Sequence, residues 1–232
     1  MLTEEQIEEF YREGYTLARG LISVEAVNCV IAAVNERFST HDGNEWQAHI
    51  FDHANPDKDP DIHELLYYPA LVNTVRQIFE AEPCVWYGML AVVPANGGNG
   101  LPWHQDNQYT QIIGSALNCF IALSEITPEK ANLWVAPRSH WFGTQPAKIN
   151  ETTAKGHREA VVEPENGICL PTLHPGDVCI FDRQTYHRSL QNTTDTHRYA
   201  YAAQYLSESA RMAKTGKKDP LRMRAVELAA RF

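Results

Sequence analysis

Two histidines and one aspartate have the types and the spacing that a mononuclear metal site needs. His104 and Asp106 stand two residues apart in Trp103-His104-Gln105-Asp106, and His187 follows much later. On an extended chain, residues i and i+2 point to the same side, so His104 and Asp106 can reach one ion while Gln105 turns away. Two imidazoles and one carboxylate form the facial triad of non-haem Fe(II) oxygenases, which leaves coordination positions open. The pattern predicts an iron site at His104, Asp106 and His187, hereafter the triad; the alternative is a set of structural polar residues.

Arg198 offers an anchor for an organic cosubstrate at the same site. It lies eleven residues after His187, far enough for the chain to turn and return on a neighbouring strand. A planar guanidinium can hold a carboxylate through two parallel hydrogen bonds. Arg198 therefore suits the distal carboxylate of 2-oxoglutarate, and Ser189 can donate to the same group. A structural ion pair is the alternative for Arg198, and the closing of a strand end is the alternative for Ser189.

The sequence around these residues resembles the phytanoyl-CoA dioxygenase family. The run from His187 to Thr194, with Arg198 beyond it, resembles the motif H-x-S-x-x-N-x-[ST] … R, and Pro137-Arg138-Ser139-His140 resembles the element P-G-S-H. The resemblance covers residues 85–206 and implies a double-stranded β-helix that uses Fe(II), 2-oxoglutarate and O₂ and releases succinate and CO₂. It also implies that Phe120 is an aromatic beside the cosubstrate.

Three positions refine the resemblance. Asn132 and Arg138 stand where the family commonly has glycine. Asp106 is present, whereas halogenating relatives carry a small residue there, so the resemblance favours hydroxylation or another oxidation over halogenation.

The resulting hypothesis is a 2-oxoglutarate-dependent non-haem iron dioxygenase that hydroxylates a C–H bond of a small-molecule metabolite. The triad would be catalytic and would bind the metal, and Arg198, Ser189 and Phe120 would bind the cosubstrate. The alternative is a non-oxidative metal cupin, either an isomerase or a metabolite- or sugar-binding protein. That alternative needs the triad but no cosubstrate anchor, so Arg198 discriminates between the two. The substrate, the oligomeric state and the choice among hydroxylation, desaturation, epoxidation and cyclisation stay open.

Short β-rich runs must position these side chains. Such runs, separated by turns rich in glycine, proline and asparagine, predict a mainly β fold with flanking helices, a jelly roll of cupin type. The His-x-Asp unit is expected on the strand after the glycine-rich turn. The predicted strands are Val85–Val93, Ala116–Leu123, Leu133–Ala136, Val178–Phe181 and Tyr199–Tyr205.

The chain is predicted to form one domain in three parts. Residues 1–82 read as a helical brace with a substrate loop, residues 83–206 as the β-helix core, and residues 207–232 as a C-terminal helix. In the brace, Thr3-x-x-Gln6 predicts a capping box, Ser23 a second helix start, and a third helix runs from Pro69 to Glu80.

Two polar segments, 41–62 and 142–166, are predicted to be long loops, the second a lid. Aromatic and basic residues near them are candidates to line a substrate pocket: Trp46, Phe51, Trp141 and Arg138. His49 and His53 raise the possibility of a second metal site, but no acidic third ligand stands at a matching spacing, which favours surface polar residues.

Composition limits partners and location. The 232 residues carry a formal net charge of −9, which argues against nucleic-acid binding. No apolar run reaches the length of a membrane span, and the start of the chain does not resemble a leader. Five cysteines without a C-x-x-C pair indicate free thiols in a reducing cytoplasm. Basic residues cluster after residue 210, where a solvated tail helix is expected and an anionic partner is the alternative.

Overall fold

The computed structural model describes residues 1–38, 48–150 and 156–231. The α-helices are α1 (Glu4–Glu13), α2 (Val24–Phe38), α3 (Pro60–His63), α4 (Pro69–Phe79) and α5 (Ala225–Ala229). Short 3₁₀ turns cover Glu64–Tyr67, Asp106–Gln108 and Ser139–Phe142. The strands are β1 (Tyr15–Ala18), β2 (Ala48–Ile50), β3 (Pro83–Val93), β4 (Ile112–Ile113), β5 (Ala116–Ala122), β6 (Leu133–Val135), β7 (Ala147–Asn150), β8 (His157–Ala160), β9 (Ile168–Cys169), β10 (Val178–Asp182), β11 (His187–Ser189), β12 (Arg198–Ser207), β13 (Arg211–Met212) and β14 (Met223–Arg224).

Two antiparallel sheets build the jelly roll that the sequence predicts. The major sheet has the strand order β1-β10-β5-β12-β3-β14, with β2 paired to β3, and the minor sheet has the order β11-β6-β9. β7 pairs with β8, and β4 pairs with β13. The five predicted strands correspond to β3, β5, β6, β10 and β12, so the mainly β class with flanking helices is confirmed.

Alternation along β5 and β12 divides the core into two layers. Odd-numbered residues such as Tyr201 and Tyr205 are buried against the helices. Even-numbered residues such as Phe120 and Ala200 pack with Leu133 of the minor sheet. Each large side chain buried in this way contributes roughly 1.5–3 kcal/mol of hydrophobic stabilisation. The even-numbered face is therefore the interior of the barrel, where the site residues are found.

The first helix begins and ends as predicted, and its end supports the site. The Thr3 hydroxyl accepts from the Gln6 amide at 3.2 Å, and the Gln6 side chain accepts from the Thr3 amide at 3.0 Å. Gly14 ends the helix at φ +83°, and its carbonyl accepts hydrogen bonds from the Asp182 amide and the Thr185 hydroxyl. A Cβ at Gly14 would lie 2.3 Å from His140 Nδ1. Glycine is needed here both for the left-handed backbone and for the close approach.

Asn132 and Arg138 stand where glycine is common in the family that the sequence resembles, and the fold accommodates the two side chains differently. Arg138 adopts φ +65°, the left-handed backbone that glycine favours, and its side chain pairs with Glu13 at 2.9 Å. Asn132 is fully buried, and its amide donates to the Leu170 carbonyl at 2.7 Å. The Asn132 side chain thereby ties β6 to the segment after β9.

The predicted C-terminal helix is wrong over most of its length. Residues 208–224, hereafter the C-terminal strap, contain β13 and β14, and only Ala225–Ala229 is helical. Pro220 and the left-handed Gly216 interrupt the helical pattern, and pairing with β3 and β4 satisfies backbone groups instead. The basic residues of this segment are therefore not on a tail helix. Arg211 and Arg222 donate to backbone carbonyls, including that of Glu208.

Candidate metal centre

The triad residues come together in the barrel interior. One ligand atom from each of His104, Asp106 and His187 lies within 4.8 Å of the other two, and all three residues are buried. The two imidazole centroids are 4.2 Å apart, and Asp106 Oδ1 lies 3.7 Å from His187 Nε2. Over residues 1–38, 48–150 and 156–231, no other group of three or more His, Cys, Asp or Glu residues could hold a metal.

A backbone bridge holds the two histidines side by side. The His104 amide donates to the His187 carbonyl at 3.0 Å, and the His187 amide donates back at 2.9 Å. The expected strand at the His-x-Asp unit is not formed, because Asp106 starts a 3₁₀ turn. Gln105 nevertheless has φ −116° and ψ 137°, so the i, i+2 relation holds. Its side chain turns away, as predicted, and donates to the Gly143 carbonyl at 3.0 Å.

Both imidazoles are oriented for metal binding. His104 Nδ1 lies 2.8 Å from the Pro102 carbonyl and His187 Nδ1 lies 3.0 Å from the Thr185 carbonyl. A carbonyl can only accept, so each Nδ1 carries a hydrogen, and in the neutral imidazole Nε2 is then the nitrogen that can bind a metal. Burial, followed by the charge of His187, lowers the pKa of His104. His104 is therefore neutral near pH 7, which is the form that coordinates.

Asp106 has one oxygen available. Its Oδ2 accepts from Asn118 Nδ2 at 2.9 Å and from Gln204 Nε2 at 3.2 Å, which leaves Oδ1 toward the histidines. Burial by itself raises the pKa of this carboxyl, but the charges of His187, Arg183 and His104 lower it below its ordinary value. Asp106 is accordingly an ionised oxygen donor.

Sequence reasoning missed Asn118 and Gln204. Both are polar residues with apolar or aromatic neighbours on each side along β5 and β12, and that isolation was a usable signal. They are paired across these two strands and are 5% and 7% exposed, so each needs a hydrogen-bond partner in the interior.

A cavity of about 330 Å³ contains the triad and all three predicted cosubstrate residues. Arg198 is 5% exposed, and its guanidinium carbon lies 5.3 Å from the centre of the Phe120 ring. Burial lowers the pKa of Arg198 to about 10, so the group stays cationic at neutral pH. Its Nε is buried without a hydrogen-bond partner, and within the described part of the chain no carboxylate lies within ion-pair distance. The alternative of a structural ion pair is thus not found among these residues.

Ser189 and Arg198 come from different sheets. Ser189 lies on β11 of the minor sheet, whereas Arg198 begins β12 of the major sheet, so Arg198 does not return on a strand beside His187. The Ser189 hydroxyl accepts from the Leu101 amide at 3.2 Å, which leaves its own hydrogen to donate. A Cβ at Gly100 would lie 2.3 Å from this hydroxyl oxygen, so the glycine-rich turn is needed for this approach.

These observations test the fit of the expected groups. Two imidazoles, each with Nδ1 bound to a carbonyl, and one ionised carboxylate match iron of the facial-triad type. An unpaired buried guanidinium and a free hydroxyl hydrogen match a carboxylate. The residues present therefore fit both Fe(II) and a keto acid with a second carboxylate.

The residues proposed from the loops do not line this cavity. Phe51 is buried against the helices, Trp141 is 59% exposed, and Arg138 forms its surface ion pair. Trp46 lies outside the described residues. The placement of these side chains depends on how each loop packs, which residue type alone does not specify.

His157 lines the cavity, although the sequence did not single it out. It lies on β8, inside the segment predicted as a loop, of which the described parts form the β7–β8 pair. Its Nδ1 is 3.4 Å from the Tyr109 hydroxyl, and the Tyr109 ring meets His104 edge-on at 5.9 Å. His157 thus stands beside the triad.

The second metal site raised by His49 and His53 is not formed among the described residues. His49 Nε2 is 3.1 Å from Asp59 Oδ2, and its ring stacks on that of His63 at 5.2 Å. His53 Nε2 lies 2.6 Å from the Trp86 carbonyl. These histidines support the packing of helix on sheet.

Residues 10–200 of the chain match the family model for phytanoyl-CoA dioxygenase. Ectoine dioxygenase of Bordetella parapertussis is 26% identical over 221 residues, which cover 82% of this chain and 71% of that protein. A phytanoyl-CoA dioxygenase domain-containing protein 1 of Danio rerio is 24% identical, with 87% of this chain and 89% of that protein covered.

Solved structures share the fold. EvdO2 from Micromonospora carbonacea var. aurantiaca complexed with 2-oxoglutarate superposes with a TM-score of 0.76 at 22% identity, over 95% of this chain and 96% of that chain. The epimerase SnoN, in complex with Fe³⁺, alpha ketoglutarate and a nogalamycin ligand, gives 0.73 at 18% identity, over 95% and 93%. Among the residues that the structure describes, no helix has both the length and the apolar character needed to cross a membrane.

Proposed function

The chain belongs to the phytanoyl-CoA dioxygenase family and is a non-haem oxygenase dependent on Fe(II), 2-oxoglutarate and O₂; from that premise we propose that it hydroxylates a C–H bond of a small-molecule metabolite. Succinate and CO₂ are the expected coproducts. The cavity of about 330 Å³ supports a compact substrate, because it is at the small end of ligand pockets and must also hold the cosubstrate. The retained Asp106 supports hydroxylation over halogenation.

The proposed roles follow the geometry. His104, Asp106 and His187 hold the metal, with the histidines binding through Nε2 and the aspartate through Oδ1. Arg198 and Ser189 bind the distal carboxylate of 2-oxoglutarate, and Phe120 forms the surface beneath the guanidinium. When bound, the metal and cosubstrate together supply the oxidant, and the protein supplies position and a dry pocket.

The unpaired Arg198 is the observation that carries this proposal. A cation that is 5% exposed and lacks an acidic partner among the described residues is costly unless a ligand pairs with it. The alternative of a non-oxidative metal cupin gives this arginine no purpose. The same observation therefore supports the oxygenase over the alternative.

We further propose that His157 contacts the substrate. It lines the cavity beside His104, on a strand pair separate from the residues assigned to the cosubstrate. Its position is supported by β8, since the Ala160 amide donates to the Trp103 carbonyl at 2.7 Å. A His157→Ala variant should keep the affinities for Fe(II) and 2-oxoglutarate and lose activity on the substrate; loss of cosubstrate binding would contradict the assignment.

The remaining proposals are coarser. We expect one domain over residues 1–232 and no nucleic-acid partner, the latter because of the acidic charge. All five cysteines are free thiols, which supports a reducing location such as the cytoplasm.

An anaerobic titration tests the proposal without knowledge of the substrate. Fe(II) and then 2-oxoglutarate are added to metal-free protein while the visible spectrum is recorded. A weak charge-transfer band that requires both additions is expected, because the keto acid must chelate the iron. Tight Fe(II) binding without such a band would favour the non-oxidative cupin.

A further inference from the structure

Arg183 is a second buried cation close to the triad, and it also lacks a carboxylate partner. It is 2% exposed, and in the part of the chain that the structure describes it forms no ion pair within 4 Å. Its Nη2 donates to the backbone carbonyl of Asp106 at 2.9 Å, and its Nη1 donates to Gln204 Oε1. Burial of an unpaired charge is unfavourable, so such an arrangement is retained where nearby groups compensate the charge.

The contact with Arg183 decides how the Gln204 amide is oriented. A guanidinium can only donate, so the oxygen of Gln204 must face Arg183 and the nitrogen must face the other way. That nitrogen lies 3.2 Å from Asp106 Oδ2. Asn118 Nδ2 reaches the same oxygen at 2.9 Å. Two N–H donors thus occupy Oδ2 and leave Oδ1 as the oxygen that faces His187.

We propose that Arg183 and Gln204 are positioning residues that make Asp106 a one-oxygen metal ligand. The inference rests on the proposed metal site at the triad and adds the two residues that lie behind Asp106, Gln204 and Arg183. Arg183 sets the orientation of Gln204 and also donates to the Asp106 backbone carbonyl, and Gln204 occupies the distal oxygen of Asp106. Ligation through one oxygen keeps the remaining coordination positions open for a keto acid and O₂.

The outer end of this arrangement is in the C-terminal strap. The guanidinium carbon of Arg183 lies 4.3 Å from the centre of the Trp86 ring, and Trp86 Nε1 donates to Asp219 Oδ2 at 2.9 Å. Asp219 also accepts from the Leu221 amide at 2.9 Å, which fixes its carboxylate. The strap therefore supports Trp86 against Arg183.

The experiment measures anaerobic Fe(II) affinity of the full chain. Gln204→Met removes the donor and keeps the side-chain length, and Gln204→Glu keeps the contact with Arg183 but places a carboxylate against Asp106 Oδ2. Both should weaken Fe(II) binding about 10–100-fold, the usual effect of losing such a supporting contact. Gln191→Met is the matched control, because Gln191 is exposed and its side chain donates to the Gly97 carbonyl.

A merely structural role predicts a different result. Gln204→Glu preserves the side-chain volume and adds an ion pair with Arg183. If Gln204 had only a structural role, this variant would keep or raise the free energy of unfolding and leave the Fe(II) affinity unchanged. The charge-transfer band with 2-oxoglutarate is a second readout and should shift in both variants. Wild-type affinity and an unshifted band in folded Gln204→Met and Gln204→Glu would overturn the inference. Failure of the wild type to bind Fe(II) would instead overturn the proposed function.

Asp219→Asn and Trp86→Phe test whether the contacts of Arg183 with Trp86, and of Trp86 with Asp219, also affect the metal site. Each should lower Fe(II) affinity less than Gln204→Met does, because each acts only through Arg183. If both match the wild type while Gln204→Met does not, the positioning role ends at Arg183.

Discussion

The guanidinium of Arg198 lies 5.3 Å above the ring of Phe120, inside the cavity that also contains the triad. These two residues are on adjacent strands, β12 and β5, and both face the barrel interior. An aromatic face attracts the cation without using its N–H donors. The donors consequently remain available to a carboxylate, which is the property that a cosubstrate anchor requires.

Arg198→Ala should weaken 2-oxoglutarate binding about 10–100-fold, since hydrogen bonds to charged groups contribute about 1.5–3 kcal/mol each. Fe(II) binding should not change. The affinity is measured by anaerobic titration of the charge-transfer band. Arg138→Ala is the control, because that arginine forms a surface ion pair. An unchanged affinity for 2-oxoglutarate in Arg198→Ala would contradict the anchor.

His104→Ala and His187→Ala should each abolish Fe(II) binding at micromolar concentration and abolish turnover. The reason is that a three-ligand site loses one neutral nitrogen donor in each variant. Equilibrium dialysis against Fe(II) measures the effect. His174→Ala is the matched control, since its side chain is 66% exposed and lies beside Glu125, with Nδ1 3.7 Å from Oε1. Binding of stoichiometric Fe(II) by either triad variant would disprove the assignment of the substituted histidine as a metal ligand.

His63 should make the fold sensitive to acid. Burial, then the charges of His49 and Lys58, lowers the pKa of His63 to about 3, while an unfolded histidine titrates near 6.5. Between these values the unfolded state binds one more proton, so this contribution is fully present above about pH 6.5 and is lost as the pH falls toward 3. The loss amounts to about 1.4 kcal/mol per pH unit within that window.

The comparison is between the wild type and His63→Phe, by urea denaturation from pH 7 to pH 4. The free energy of unfolding of the wild type should fall more steeply with decreasing pH than that of His63→Phe, by about 1.4 kcal/mol per pH unit. Equal slopes for wild type and His63→Phe would show that His63 is not held neutral.

Gly14→Ala should lower the free energy of unfolding by about 2–5 kcal/mol. The left-handed backbone costs a non-glycine residue about 1–2 kcal/mol, and the clash with His140 adds about 1–3 kcal/mol. Gly20→Ala is the matched control, because Gly20 is also left-handed but has no atom within 4 Å of the added Cβ. Denaturation curves for both variants measure the difference. Equal losses of unfolding free energy in Gly14→Ala and Gly20→Ala would mean that the close approach of His140 does not restrict the residue at position 14.

The Gly14→Ala substitution should also affect the candidate metal site. The Gly14 carbonyl binds Thr185, whose own carbonyl orients His187. We expect a weaker Fe(II) affinity in Gly14→Ala and not in Gly20→Ala.

The sequence by itself determined the chemistry of this protein. The types and spacing of the triad, of Ser189 and of Arg198 predict metal and carboxylate binding, because those properties belong to the side chains and to short stretches of backbone. Helix starts at Thr3 and Ser23 and the five main strands were predictable for the same reason, since capping, turns and β-branched runs act locally. Errors arose where a segment depends on its neighbours: the strand at Asp106, the C-terminal helix and the pocket role of Trp141.

Only the tertiary structure decided which residues surround the triad. β5 is buried on both faces, so its sequence shows no alternation that would separate Asn118 and Phe120 from the residues that face the helices. The meeting of Asn118 with Gln204, and of Gln204 with Arg183, depends on cross-strand register and on packing between segments distant in the chain. Such contacts have no local signature, because they are formed by the alignment of whole strands.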